Sequence, residues 1–219
     1  MGRPIPANEV NVISEDHAAE SVASLGLDLD LIVEALRDGE VNSRVACKDR
    51  SFPPTAPGYF RWAHTVASLR RAHVKDGEWE LHNDHNRPLL KSPEGKRTVT
   101  ACGGTADVGD PEGKPNVANR KGRATERAYE QMELLSLSQG LRIRIPEDSM
   151  PVDGPWMLLY YRSKDELRAE LSLPKGIENG LVSGWHTRIM LPSHLFNDGL
   201  EELPGRDGEN DVDFHLEEA

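Results

Sequence analysis

Cysteine is almost missing from this chain of 219 residues: there are two, Cys47 and Cys102, far apart and in no metal-ligand spacing. Neither a disulfide framework nor a cysteine metal motif can be built from them. Long hydrophobic runs are also missing, and no apolar stretch approaches the roughly 20 residues of a membrane-spanning helix. The first residues, Met1-Gly2-Arg3-Pro4-Ile5-Pro6, lack the apolar run of a signal peptide, and Pro6 stands where a myristoylation signal needs Ser or Thr. A cytoplasmic protein with no membrane contact is the expectation. Aromatic residues are scarce at 5% and apolar ones make up only 37%, yet long periodic apolar segments keep the chain outside the disordered class.

Positive charge is the next shortage. The formal net charge is −11, but its distribution is uneven. Residues 198–219 hold nine acids and one base, a net of −8, while residues 1–197 hold 28 acids and 25 bases, a net of −3. A basic, DNA-coating protein is excluded, although a local patch for nucleic acid is not. The composition divides the chain into a loose arm (1–13), a single α+β domain (14–197) and a flexible acidic tail (198–219).

Within the domain, Asp28 or Asp30 can cap a helix carrying Leu29, Ile32, Val33 and Leu36 on one face, with Gly39 as its C-terminal stop. The spacing of Tyr59, Trp62, Ala63, Val66 and Leu69 predicts a helix over 59–75, with Arg61 on its polar side. Three short strand patterns follow between 79 and 102, and a further helix is predicted over 119–138. Three more strands, at 156–162, 167–173 and 181–191, alternate apolar and polar residues, with 174–180 as a loop between the last two. The expected fold is an antiparallel sheet of two meanders with helices packed on one face. Trp62, Val66, Leu69, Leu171, Trp185 and Ile189 are expected in one core.

Three constellations carry possible chemistry. The first is the strand Thr98-Val99-Thr100-Ala101-Cys102, which empties into Gly103-Gly104-Thr105-Ala106-Asp107-Val108-Gly109-Asp110 and then into the basic run 114–127. Its Lys114, Arg120, Lys121 and Arg123, beside a predicted helix start, suit a phosphate or carboxylate. The loop is neither a Walker A motif nor a dinucleotide fingerprint, so no cofactor is expected. The second is Glu170, His186 and Arg188 on the polar sheet face, able in principle to do acid–base work or simply to pair across strands. The third is the turn His82-Asn83-Asp84-His85-Asn86, where His82 and His85 could bind a metal or merely form a turn.

Several stretches carry a resemblance. They are Phe52-Pro53-Pro54-Thr55-Ala56-Pro57-Gly58-Tyr59-Phe60-Arg61-Trp62, Lys121-Gly122-Arg123-Ala124-Thr125, Arg168-Ala169-Glu170-Leu171-Ser172-Leu173-Pro174 and Trp185-His186-Thr187-Arg188-Ile189-Met190-Leu191-Pro192. Together, over residues 20–192, the chain resembles an uncharacterised bacterial protein family associated with plasmids and integrated mobile elements. No activity is attached to that family, so the resemblance assigns no functional residue. It implies an accessory protein that binds or inhibits a protein or nucleic-acid partner, as in fertility inhibition or anti-restriction. The alternative is an enzyme acting on nucleic acid or a nucleotide through the basic loop 114–127.

Overall fold

Apolar residues at three- and four-residue steps build a helical layer of α1 (Ala18–Ser24), α2 (Leu29–Lys48), α3 (Ala56–Val74) and a short α4 (His194–Asn197). The computed structural model describes residues 10–74, 77, 79–84, 86–122, 126, 150 and 153–197. The side chain of Asp28 caps α2 by accepting from the Asp30 N–H at 2.8 Å. The helix runs ten residues past its expected end at Asp38, because Gly39 serves a different purpose from a stop. A Cβ at Gly39 would lie 2.1 Å from Thr65 Oγ1 and 2.7 Å from the Arg61 carbonyl oxygen of α3. Glycine is needed there for the close crossing of two helices.

The sheet has seven strands: β1 (Asn11–Ile13), β2 (Glu80–Asp84), β3 (Arg87–Lys91), β4 (Arg97–Gly103), β5 (Gly154–Arg162), β6 (Leu167–Glu178) and β7 (Leu181–Met190). Their order is β1-β7-β6-β5-β4-β3-β2. Both predicted meanders are present, but the sheet is mixed and not purely antiparallel. β4 meets β5 in parallel, pairing Arg97 with Gly154 through Gly103 with Tyr160, and β1 lies parallel to β7. The end of the supposed loose arm is therefore an edge strand. The residues joining β4 to β5 provide the crossover that a parallel pair requires.

A second correction concerns coverage: the helices pack on one face, and the loop after β4 covers part of the other. The helix-facing core includes Val66, Leu69, Val99, Trp156, Leu158, Leu171 and Ile189, with Trp62 packed against it. Cys102, Val108, Val117, Met157, Leu159, Ile177, Val182 and Trp185 form a separate cluster on the loop side. Trp185 is buried as expected but belongs to this second cluster. The β6–β7 register slips between Leu173–Thr187 and Pro174–Trp185, so one extra residue reverses which face Trp185 takes. β6 itself continues through Pro174, which sits at this bulge, where a proline's missing N–H is tolerated. The predicted 174–180 loop is thus mostly strand. It ends in a two-residue turn with Asn179 at φ 53° and Gly180 at φ 78°, both left-handed as a type I′ hairpin requires.

Only residues 119–122 and 126 of the predicted 119–138 helix are described, and the tail from 198 lies outside the described residues. No helix among the described residues is long and apolar enough to cross a membrane.

Candidate functional site

The glycine-rich stretch after β4 is a built element, held at many points along the sheet face it covers. Gly104 N–H donates to Tyr160 O at 2.8 Å, Thr105 N–H to Asn116 O at 2.9 Å and Ala118 N–H to Gly103 O at 2.9 Å. Asn116 imitates a strand partner: its Nδ2 donates to Val182 O, and its Oδ1 accepts from the Val182 N–H, each at 3.0 Å. Trp185 Nε1 donates to Pro115 O at 2.9 Å. These bonds satisfy groups that burial would otherwise leave costly.

The strongest grip comes from Glu170 and Arg188. Glu170 is 0% exposed and Arg188 2%. Arg188 donates from Nη2 to Glu170 Oε2 at 2.6 Å and from Nε to Oε1 at 2.9 Å. The carboxylate also accepts from Ser172 Oγ at 2.7 Å and from the Gly109 N–H at 2.9 Å. The guanidinium further donates to Gly113 O and Asp110 O, each at 3.0 Å. A two-pronged pair with its remaining groups bonded is the arrangement in which two buried charges can be tolerated. Its effect is to fasten the loop to the sheet. The third member of the predicted trio, His186, is exposed at the strand bulge.

Beyond this grip, the loop's charges separate along the chain. Asp107, Asp110 and Glu112 are exposed at its beginning, and Lys114 and Arg120 are exposed after them, with Lys121 half-buried. The last two cations are seated on the β6–β7 turn. Lys121 N–H donates to Gly180 O at 2.8 Å, and Arg120 Nη1 donates to Asn179 O at 3.3 Å. From beyond the cations, Glu126 Oε1 accepts from the Gly180 N–H at 2.6 Å. A Cβ on Gly180 would come within 2.8 Å of both Arg120 Cβ and Lys121 O, so the turn's glycine makes this seat possible. Arg123, the fourth predicted anion ligand, lies outside the described residues.

The histidine turn is elsewhere. His82 is exposed on β2, at the opposite side of the sheet from β7. Five strand spacings, about 24 Å, separate those two strands. His85 lies outside the described residues, and among them no group of three or more His, Cys, Asp or Glu side chains is placed to hold a metal.

Sequence reasoning missed a second buried charge cluster, on the helical side. Glu40, 0% exposed, accepts from Arg61 Nε at 3.0 Å and from Arg162 Nε at 3.0 Å, and Arg44 Nε lies 3.4 Å away. Arg61 Nη2 also donates to Ser43 Oγ at 2.8 Å. Burial pushes the Glu40 carboxyl up, but the charges and hydrogen bonds of Arg61 and Arg162 outweigh it and hold the group below the ordinary carboxylate range. The available signal was the continuation of the buried stripe Ile32, Leu36, Gly39 and Ser43 past the supposed stop, which places Glu40 on the inward side.

Compared with family models, curated proteins and solved structures, the chain gives no match in any of the three.

Proposed function

We propose that this chain is a non-enzymatic accessory protein of a mobile genetic element, and that it engages an acidic surface of a protein partner through the rim formed by Arg120 and Lys121. The observation behind this reading is the seat of those two residues on the Asn179–Gly180 turn, which presents cationic side chains from a fixed backbone. Preordered contact residues lose less freedom on binding than mobile ones. A protein partner suits the rim better than nucleic acid. Proteins that bind duplex DNA commonly neutralise about 6–10 phosphates, and among the described residues of this loop three cations, Lys114, Arg120 and Lys121, are balanced by Asp107, Asp110 and Glu112. The enzyme alternative joined the basic loop to His82, His85 or the Glu170, His186 and Arg188 face; of these, Glu170 and Arg188 are committed to holding the loop and His82 stands across the sheet from it.

The experiment compares host cells expressing the wild type with cells expressing Arg120→Ala/Lys121→Ala. Conjugation frequency and restriction of incoming DNA are the measurements. The wild type should lower one of the two and the double variant should not. If neither process responds to the wild type, the accessory-factor reading fails. Salt titration against short single- and double-stranded DNA separates the partner classes. Binding whose salt dependence flattens by about one slope unit per removed cation would replace the protein partner with nucleic acid.

A further inference from the structure

β2 ends the sheet on the side away from β7, and no strand among the described residues pairs with its outer edge. Asn83 stands opposite Pro88, which has no N–H, so that pair cannot exchange two ladder bonds. Hydrogen-bonded pairs alternate along an antiparallel ladder, which assigns them to Glu80–Lys91, His82–Leu89 and Asp84–Arg87. The N–H and C=O groups of Leu81 and Asn83 therefore point outward. No proline, lysine or register shift interrupts β2, although such devices commonly blunt an edge.

The side chains on this strand are also uncovered. Leu81 lies on the helix-side face, opposite the buried Leu90, yet is 58% exposed. Glu80 and His82 point from the other face, both exposed, and neither side chain has a hydrogen bond or ion pair among the described residues. Arg70 of α3 donates from Nη2 to Asn83 Oδ1 at 2.9 Å, which steadies β2 and leaves Leu81 open.

We propose that a second copy of this chain pairs with this edge, β2 against β2, antiparallel about a two-fold axis at Leu81. In this register the two Leu81 residues exchange backbone hydrogen bonds, and their side chains meet across the axis. Glu80 of each copy lies opposite His82 of the other, in a non-hydrogen-bonded pair where side chains approach most closely. The imidazole offers the carboxylate an N–H whether it is neutral or charged. A two-fold contact makes each such pair twice. The neighbouring two-fold registers fit less well. Centring on Glu80 sets that residue against itself, and centring on His82 sets Glu80 against Asp84. Centring on Asn83 carries Leu81 past the end of the opposing strand at Asp84. Charge and apolar cover together select one pairing. Strands of five residues make a small contact, so the dimer is a weak, concentration-dependent one.

The test is sedimentation of the full chain at concentrations up to about 1 mM, where contacts of this size become populated. The wild type should pass from monomer to dimer. Leu81→Asp sets two carboxylates face to face and should weaken dimerisation by about tenfold or more, as should His82→Glu, which opposes Glu80. Adding Glu80→Lys to His82→Glu should return the association to within about threefold of wild type. Leu81→Cys in a Cys47→Ser background should give a disulfide-linked dimer under mild oxidation, and Asn83→Cys in the same background should not. Circular dichroism of each variant checks that the fold is retained. A monomer at every concentration would overturn the pairing and leave the edge to a strand of another protein. A dimer unaffected by Leu81→Asp, one that Glu80→Lys does not rescue, or one cross-linked through Asn83→Cys would overturn it by placing the contact elsewhere.

Discussion

Glu40 and Glu170 are both single carboxylates, fully buried and held by arginine, yet they join different kinds of structure. Glu40 connects α2, α3 and β5, all regular elements with backbone hydrogen bonds of their own. Glu170 and Arg188 lie on adjacent strands and reach outward to Gly109, Asp110 and Gly113, in a stretch that has no ladder of its own. The first cluster sets how helices sit on a sheet. The second gives a defined shape to a segment whose glycines would otherwise leave it mobile. Buried charge thus acts as packing on one face and as a substitute for secondary structure on the other.

The largest expected effects come from removing each carboxylate. Glu40→Ala and Glu170→Ala should each cost about 3–5 kcal/mol in urea unfolding, because a buried arginine is left uncompensated. Limited proteolysis should separate the two: Glu170→Ala opens the 104–122 loop to cleavage, and Glu40→Ala does not. Loop cleavage in both variants would break the distinction. Glu170→Leu/Arg188→Met sharpens it. That double variant should regain most of the lost stability, as apolar replacements of buried pairs often do, while the loop stays cleavable.

Gly39→Ala comes next. Its methyl group would meet Thr65 Oγ1 and the Arg61 carbonyl, so α2 and α3 must separate, with a cost of about 1–3 kcal/mol typical of overpacking. An unchanged melting temperature would show that the helical face tolerates rearrangement as the loop face is expected to.

A smaller effect is the acid response of Glu40. Its carboxyl is held below its ordinary range when folded, so its stabilisation is full above the unfolded pKa of about 4.3 and is lost as pH falls through the lower folded value. The stability gap between wild type and Glu40→Gln should therefore narrow as urea titrations move from pH 6 toward pH 3. A gap that widens on acidification would reverse the assigned direction. The smallest effect is expected from Arg120→Ala/Lys121→Ala, within about 0.5 kcal/mol in thermal melts, as for surface changes away from core features. A larger loss would make the rim part of the loop's fastening.

The same contrast explains what the sequence reveals. α3 and the first half of β6 were legible because Trp62, Val66 and Leu69, and Leu167, Ala169 and Leu171, repeat at periods that a helix and a strand impose. The Asn179-Gly180 turn was also legible in principle, but Pro174 suggested that β6 had ended. Gly39 looked like a stop because glycine serves both helix ends and close crossings, and only the partner helix decides between them. Arg61 looked solvent-facing, and Glu40 lay beyond the expected helix end, because ion pairing 21 residues apart leaves no periodic mark. The parallel pairings of β1 and β4 depend on distant register and have no local signal at all. At the candidate site, the residue types pointed to charge, but the separation into a buried grip and a displayed rim depended on which backbone groups lay opposite.

The parallel seam between β4 and β5 bears on how the chain folds. Each meander can assemble from neighbouring segments, whereas Arg97 and Gly154, paired at the seam, are separated by a span that must first be closed into a loop. Relative to a short hairpin, closing that span costs roughly 2 kcal/mol more in chain entropy, at about 0.6 kcal/mol per doubling of length. The two meanders should therefore form early and the centre of the sheet late, so a substitution such as Trp156→Ala, at the residue that pairs across the seam with Val99, should chiefly accelerate unfolding and leave the refolding rate little changed.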